Sequence, residues 1–199
     1  MPLFFGQEKV NVSGQPLSTI YVTPKTSSDK PEEINDVLSV LDYITVGEGV
    51  VIENGIASNF RSSVSSYLTI PAETYSFEEG KTFRLTFTTG EEVNETNSME
   101  QILYYPEMEF FIQGKTFMSY GSSNDKIYGE VLPNTKYILD WTFAPIGIRT
   151  LYDADMNILA EHEVKGPSSM TGEMILGNRA TTNREFYGTI DLNHTGILL

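Results

Sequence analysis

The sequence contains no cysteine, so neither disulfides nor thiolate metal sites can hold it together. It has only two histidines, His162 and His194. Neither has a ligand-like cluster beside it, and both are expected on the surface of a strand or turn. Cationic residues are scarce, with 13 Lys and Arg against 27 Asp and Glu and a formal net charge of −14. That deficit argues against nucleic-acid binding, which needs clustered cations to neutralise phosphate, and against anionic membrane surfaces. An acidic surplus of this kind keeps a crowded or repetitive assembly soluble. No apolar run approaches the length of a membrane span. The opening MPLFFGQEKV has neither the basic region nor the apolar length of an export signal, so none is expected. Also missing are a phosphate-cradling glycine loop, a dinucleotide fingerprint and a Ser/His/Asp order.

What is present is ample core material: 40% of residues are hydrophobic and 12% aromatic. The 199 residues suit one substantial domain with an appendage, or two small domains. Residues 1–43 read as an N-terminal arm. Pro2, Gly6, Gly14, Pro16 and Pro24 separate short apolar pieces, LFF and STIYVT, which could each add a strand to a neighbour but cannot close a core. In SSDKPEEINDVLSVLDYI, Ser28 or Asp29 can cap a helix, Pro31 fits its first turn, and Glu32 and Glu33 suit the positive end of its dipole. Ile34, Val37, Leu38 and Leu41 recur at i, i+3, i+4 and i+7. This predicts one short helix over about 31–42. Its apolar stripe would serve as a docking face or as the seam of a homo-oligomer.

Residues 44–199 read as strands. Asn54-Gly55 is a tight-turn signal after Val50, Val51 and Ile52. Phe83, Leu85 and Phe87 alternate with Thr82, Arg84, Thr86 and Thr88, and Tyr137, Leu139, Trp141 and Phe143 share one face. QILYY, MEFFIQ and TFMSY follow one another, with Gly114-Lys115 as a turn. RTLYD and ILAEHEV flank a turn at Ala154-Asp155-Met156-Asn157. Near the end, Phe186, Gly188, Ile190 and Leu192 fall on one side of a two-residue period, and Tyr187, Thr189 and Asp191 on the other. Ile197 to Leu199 read as a last short strand, so the chain is expected to end inside a sheet. Many short strands with regular turn signals predict an all-β antiparallel sandwich or jelly roll.

The order of these segments is similar to a known family. GVVIENGIASNFRSSVSSYLTIP, KTFRLTFTTG, NTKYILDWTFAPIGIRTLYDADMNILAEHEV and EMILGNRATTNREFYGTIDLNHTGIL together resemble a concanavalin A-like, laminin-G-like jelly-roll domain. The aromatic-Gly-x-Ile-Asp-Leu ending resembles the version found in phage virion proteins of the tail, baseplate or capsid decoration. Gly177 and Gly188 stand where a strand bends or another backbone approaches. The resemblance implies a non-enzymatic structural or decorating protein of a virion, made in the host cytoplasm. Its arm would dock on other virion proteins and its head would face outward. Two alternatives come with the same fold: a carbohydrate-binding module for host-surface glycan, and a glycoside hydrolase.

Each alternative has candidate residues. Glu107 and Glu109 share one strand face in PEMEFFIQG and could divide the acid and nucleophile roles of a glycosidase. The third acid of the related glucanase motif is absent, and a wet strand face with Met108, Phe110 and Ile112 buried opposite is the simpler reading. Tyr104, Tyr105, Tyr120, Tyr128 and Tyr187 could supply rings for a sugar. Asp153, Asp155, Asn157 and Glu161 have oxygen-ligand spacings that resemble a calcium loop, but Ile158 stands where that loop needs glycine and Val164 where it needs glutamate. A hairpin turn explains the same residues. No cofactor is therefore expected, with calcium near Asp153 and Asp155 as the alternative.

Overall fold

A strand that alternates apolar and polar side chains has one face to hide, and a second sheet is a ready cover for it. The computed structural model of this chain solves the problem that way, with two antiparallel sheets packed as a jelly-roll-like sandwich. The structure describes residues 9–10, 16–17, 37–61, 63, 65–72, 79–91, 93, 99–106, 108–121, 126–144, 146–165, 172–179 and 184–198.

In chain order the described strands begin with β1 (Lys9–Val10) and β2 (Pro16–Leu17), which pair with each other. The short strands β3 (Val37–Ser39), β4 (Thr45–Val46), β5 (Val51–Glu53), β6 (Ile56–Ser58) and β7 (Leu68–Ile70) then cross repeatedly between the two sheets. The long β8 (Thr82–Thr88) precedes a meander of β9 (Met99–Tyr105), β10 (Met108–Gln113), β11 (Thr116–Gly121) and β12 (Lys126–Glu130). A second meander holds β13 (Lys136–Thr142), β14 (Ile146–Asp153) and β15 (Ile158–Lys165). The set closes with β16 (Met174–Leu176), β17 (Thr189–Asp191) and β18 (Gly196–Leu198). One sheet has seven strands in the order β12-β11-β10-β9-β16-β7-β4. The other has nine: β15-β14-β13-β8-β17-β6-β5, with β18 beside β8 and β3 beside β18. The predicted turn at Asn54-Gly55 joins β5 to β6, and both residues have positive φ (52° and 78°), as the tight turn of a two-residue hairpin requires.

The helix expected over about 31–42 is replaced, in its described part, by a strand. Val37–Ser39 lies antiparallel to Gly196–Leu198, with Leu38 opposite Ile197. Ser39 Oγ donates to Leu192 O at 2.6 Å and accepts the Leu41 N–H at 3.0 Å, while the Val40 N–H donates to Thr195 O at 2.8 Å. Short apolar runs fit either period, and here pairing with a strand far along the chain overrides local helix preference. Val40 is fully buried, and Leu38 and Leu41 pack against the core, so this part of the expected docking stripe serves the interior of the sandwich. Val37 is half-buried in the strand, and Ile34 lies outside the described residues. Of residues 37–43, grouped with the arm on the sequence, Val37–Ser39 is a strand of the sheet and 40–43 turn away from it, with the Tyr43 N–H donating to Val40 O. LFF and STIYVT also lie outside the described residues. Among the described residues no helix is long and apolar enough to cross a membrane.

The core is aromatic and spans both sheets. Phe83, Leu85, Phe87, Tyr137, Leu139 and Trp141 face it from the nine-stranded sheet, and Phe110, Ile112 and Phe117 from the seven-stranded one. Phe110 meets Trp141 edge-on with centroids 6.0 Å apart, and Phe87 stacks on Phe117 at 5.6 Å. Both are favourable geometries for ring quadrupoles. Arg149 also points inward. Its Nη1 donates to Ser119 Oγ at 2.9 Å and its guanidinium lies over the Phe110 ring. Phe186, Ile190 and Leu192 are buried as the ending's alternation predicts. On the nine-stranded sheet's other face, Arg84 and Asp140 stand directly opposite and form a buried two-pronged ion pair, 2.7 Å at each contact.

Candidate functional site

The site is built on the outer face of the seven-stranded sheet. Phe110 and Ile112 of β10 enter the core, so by alternation Glu109 and Phe111 project from the opposite face. Residues paired across antiparallel strands share a face. Glu109 pairs with Tyr104 on β9 and with Tyr120 on β11, and Tyr104 pairs in turn with Ile175 on β16. A row Ile175–Tyr104–Glu109–Tyr120 therefore runs across four strands. Strand spacing puts the two tyrosine Cα positions roughly 10 Å apart, with a carboxylate between them.

Two arginines complete the site. The register of β9 on β10 slips between Phe110 and Phe111, which leaves Ile102 as a bulge. Bulges free backbone groups from the ladder and re-aim neighbours. Here Ile102 O accepts the Gly177 N–H at 2.9 Å, and the Gln101 N–H donates to Arg184 O at 3.0 Å. Gly177 takes φ +85° where a Cβ would overlap Phe60, so only glycine suits this corner. The corner and the bulge bring both ends of the segment after β16 back to the sheet. Arg179 Nη1 donates to Glu109 Oε1 at 2.8 Å, and Arg184 Nη1 to Oε2 at 3.1 Å. The Arg179 guanidinium also caps the Tyr104 ring at 4.5 Å.

Both oxygens of Glu109 are thus occupied by guanidinium donors, and its side chain is only 12% exposed. A carboxylate with both oxygens bonded to guanidinium donors is committed to that pairing. Glu107, its expected partner, lies outside the described residues. Of the five tyrosines singled out as sugar-stacking candidates, Tyr105 and Tyr128 are buried in the core. Burial pushes the Tyr128 hydroxyl above its ordinary pKa. Tyr187 is half-buried with Arg61 over its ring. Tyr104 is capped by Arg179, and Tyr120, 56% exposed, offers an open ring.

The calcium alternative falls on a turn that uses its own oxygens. Asp153 Oδ1 accepts the N–H groups of Asp155 and Asn157, and Oδ2 accepts Asn157 Nδ2, each at 2.9 Å. These bonds, led by that from the Asn157 side chain, hold the Asp153 carboxyl below its usual pKa. Among the described residues no group of three or more His, Asp or Glu could hold a metal. His162 bonds Ile127 O at 2.9 Å and sits edge-on to Tyr128, while His194 Nδ1 meets Asp191 Oδ2 at 2.7 Å. Arg179 and Arg184 belong to no motif of the sequence. Their one signal in the sequence is that two of only 13 cations lie five positions apart, around the stretch ATTN.

No protein-family model matches the sequence, and no curated protein does. Solved structures with a similar fold include the receptor-binding domain of botulinum neurotoxin D, at 12% identity and TM-score 0.59 over 83% of this chain and 50% of that one. The receptor-binding domain of botulinum neurotoxin type G is similar at 12% identity and TM-score 0.55, over 78% of this chain and 42% of the other. The binding domain of Paraclostridial Mosquitocidal Protein 1 is similar at 13% identity and TM-score 0.54, over 77% and 43%. This chain spans half or less of the length of each. At these identities the likeness establishes the β-sandwich fold alone.

Proposed function

We propose that this chain is a non-catalytic recognition domain that binds glycan on the outer face of its seven-stranded sheet. The observation that carries this reading is the exposed Tyr120 ring paired across the strands with Glu109, whose two oxygens are held by Arg179 and Arg184. Sugar sites combine an aromatic platform for the apolar face of a ring with a few fixed polar groups for its hydroxyls. The engaged state of Glu109 favours binding over hydrolysis, and fold likeness to receptor-binding domains favours the same class, by analogy alone. The purified chain should bind oligosaccharides on a glycan array without cleaving them. Tyr120→Ala should weaken that binding several-fold, up to about tenfold, since a stacking ring contributes on the order of 0.5–1.5 kcal/mol. Hydrolysis of a bound glycan, abolished by Glu109→Gln, would overturn the non-catalytic reading.

A second reading concerns where the domain works. The FYGTIDL ending, which resembles phage virion jelly rolls, supports a place on a virion. The segment before Val37 would dock on other virion proteins, and the recognition face would point toward the host. Mass spectrometry of purified particles tests this, with the chain expected as a repeated component.

A further inference from the structure

Resting on the glycan reading, we infer that the saccharide bound at this face is anionic, carrying a carboxylate or sulfate group that Arg179 and Arg184 hold. A guanidinium has five N–H donors in a planar fork. Among the described residues, the only hydrogen bond from either side chain is the one its Nη1 gives to Glu109. Both side chains remain about a quarter exposed, at 26% and 27%. Most of their donors therefore have no partner among the described residues, one strand away from Tyr120, which pairs with Glu109.

The charge does not balance either. Among the described residues, two arginines meet the single carboxylate of Glu109, a local cationic excess in that cluster on a chain whose net charge is −14. A neutral sugar would be served by hydroxyl, amide and carboxylate groups alone. Such a site would not need a cationic excess drawn from a scarce supply. An acidic sugar would be repelled by most of this surface and drawn to this one spot, where local positive potential focuses it. Arginine suits the task because its fork matches carboxylate and sulfate-like oxygens with two parallel bonds. Adjacent strands lie about 5 Å apart. A single sugar ring on Tyr120 can thus present its charged substituent to the arginines over Glu109. Arg179 is fixed from below by Glu109 and from the side by the Tyr104 ring, so little further ordering is needed when a ligand arrives.

The test uses the full chain and a panel of oligosaccharides in matched forms: uronic acids against their methyl esters, and sulfated sugars against desulfated ones. Calorimetry in low salt should show the acidic member of at least one pair binding about tenfold more tightly than its neutral twin. Added salt should shrink that gap. The identity of the better pair distinguishes carboxylate from sulfate. Arg184→Gln, checked for an unchanged melting curve, should weaken the acidic form far more than the neutral one and so close most of the gap between the twins. Tyr120→Ala should weaken both. Equal binding of acidic and neutral twins would overturn the anionic inference while the glycan reading stands. Binding of no member of the panel would overturn both.

Discussion

Arg84 and Asp140 illustrate how single residues here carry charge into buried places. Asp140 holds both prongs of its pairing with Arg84, whose side chain is fully buried. Removing one partner strands the other. Asp140→Ala should destabilise the fold by roughly 3–5 kcal/mol, whereas replacing both with apolar residues of similar size should cost much less. Urea denaturation of the single and double variants checks this. Asp153 gives a smaller, exposed case. Its folded pKa is depressed by hydrogen bonds from Asn157 and Asp155. The turn's stabilisation is therefore present above the unfolded value of 3.8 and lost as pH falls through the lower folded value. An NMR titration should place the Asp153 midpoint below 3.8. Asn157→Ala should raise it toward that value, because the Asn157 side chain is the largest cause.

At the level of elements, long alternating segments were legible and short ones were not. Phe83, Leu85 and Phe87 on β8, and Tyr137, Leu139 and Trp141 on β13, face the core as their two-residue period requires. In the ending, Gly188 leaves room for Thr88 O, as a close backbone approach demands. β3 was missed because three residues cannot display a period. Helix-start signals sat just before it, and its partner lies at the other end of the chain. The site was half legible for a similar reason. Glu109 and Tyr120 announced themselves by composition. The convergence of Arg179 and Arg184 depends on a bulge at Ile102 and a corner at Gly177, features that exist only once the sheet has formed. Because Val40 is core and β3 is a strand of the sheet, truncations should separate sharply. A chain starting at residue 44 should melt well below one starting at residue 37. Similar melting temperatures for the two would mean that β3 contributes little.

Across the whole molecule, the nine-stranded sheet joins pieces from nearly every part of the sequence. Along one edge β8 is flanked by β17 and β18, and β18 carries β3. Such non-local pairing slows folding, because loops must close before contacts repay them. Stopped-flow refolding should be slow for a chain of this size, on the order of milliseconds to seconds, and Tyr and Trp fluorescence should follow it. The link between Ser39 and Leu192 spans 153 residues. During synthesis, β3 leaves the ribosome long before its partner exists. Through most of translation both β3 and one edge of β8 are without their neighbours, and bare edges invite pairing with other chains. The nascent protein therefore has a window of vulnerability that closes only when residues 189–198 arrive. A cell making it quickly and in many copies would depend on chaperones to cover that edge until then.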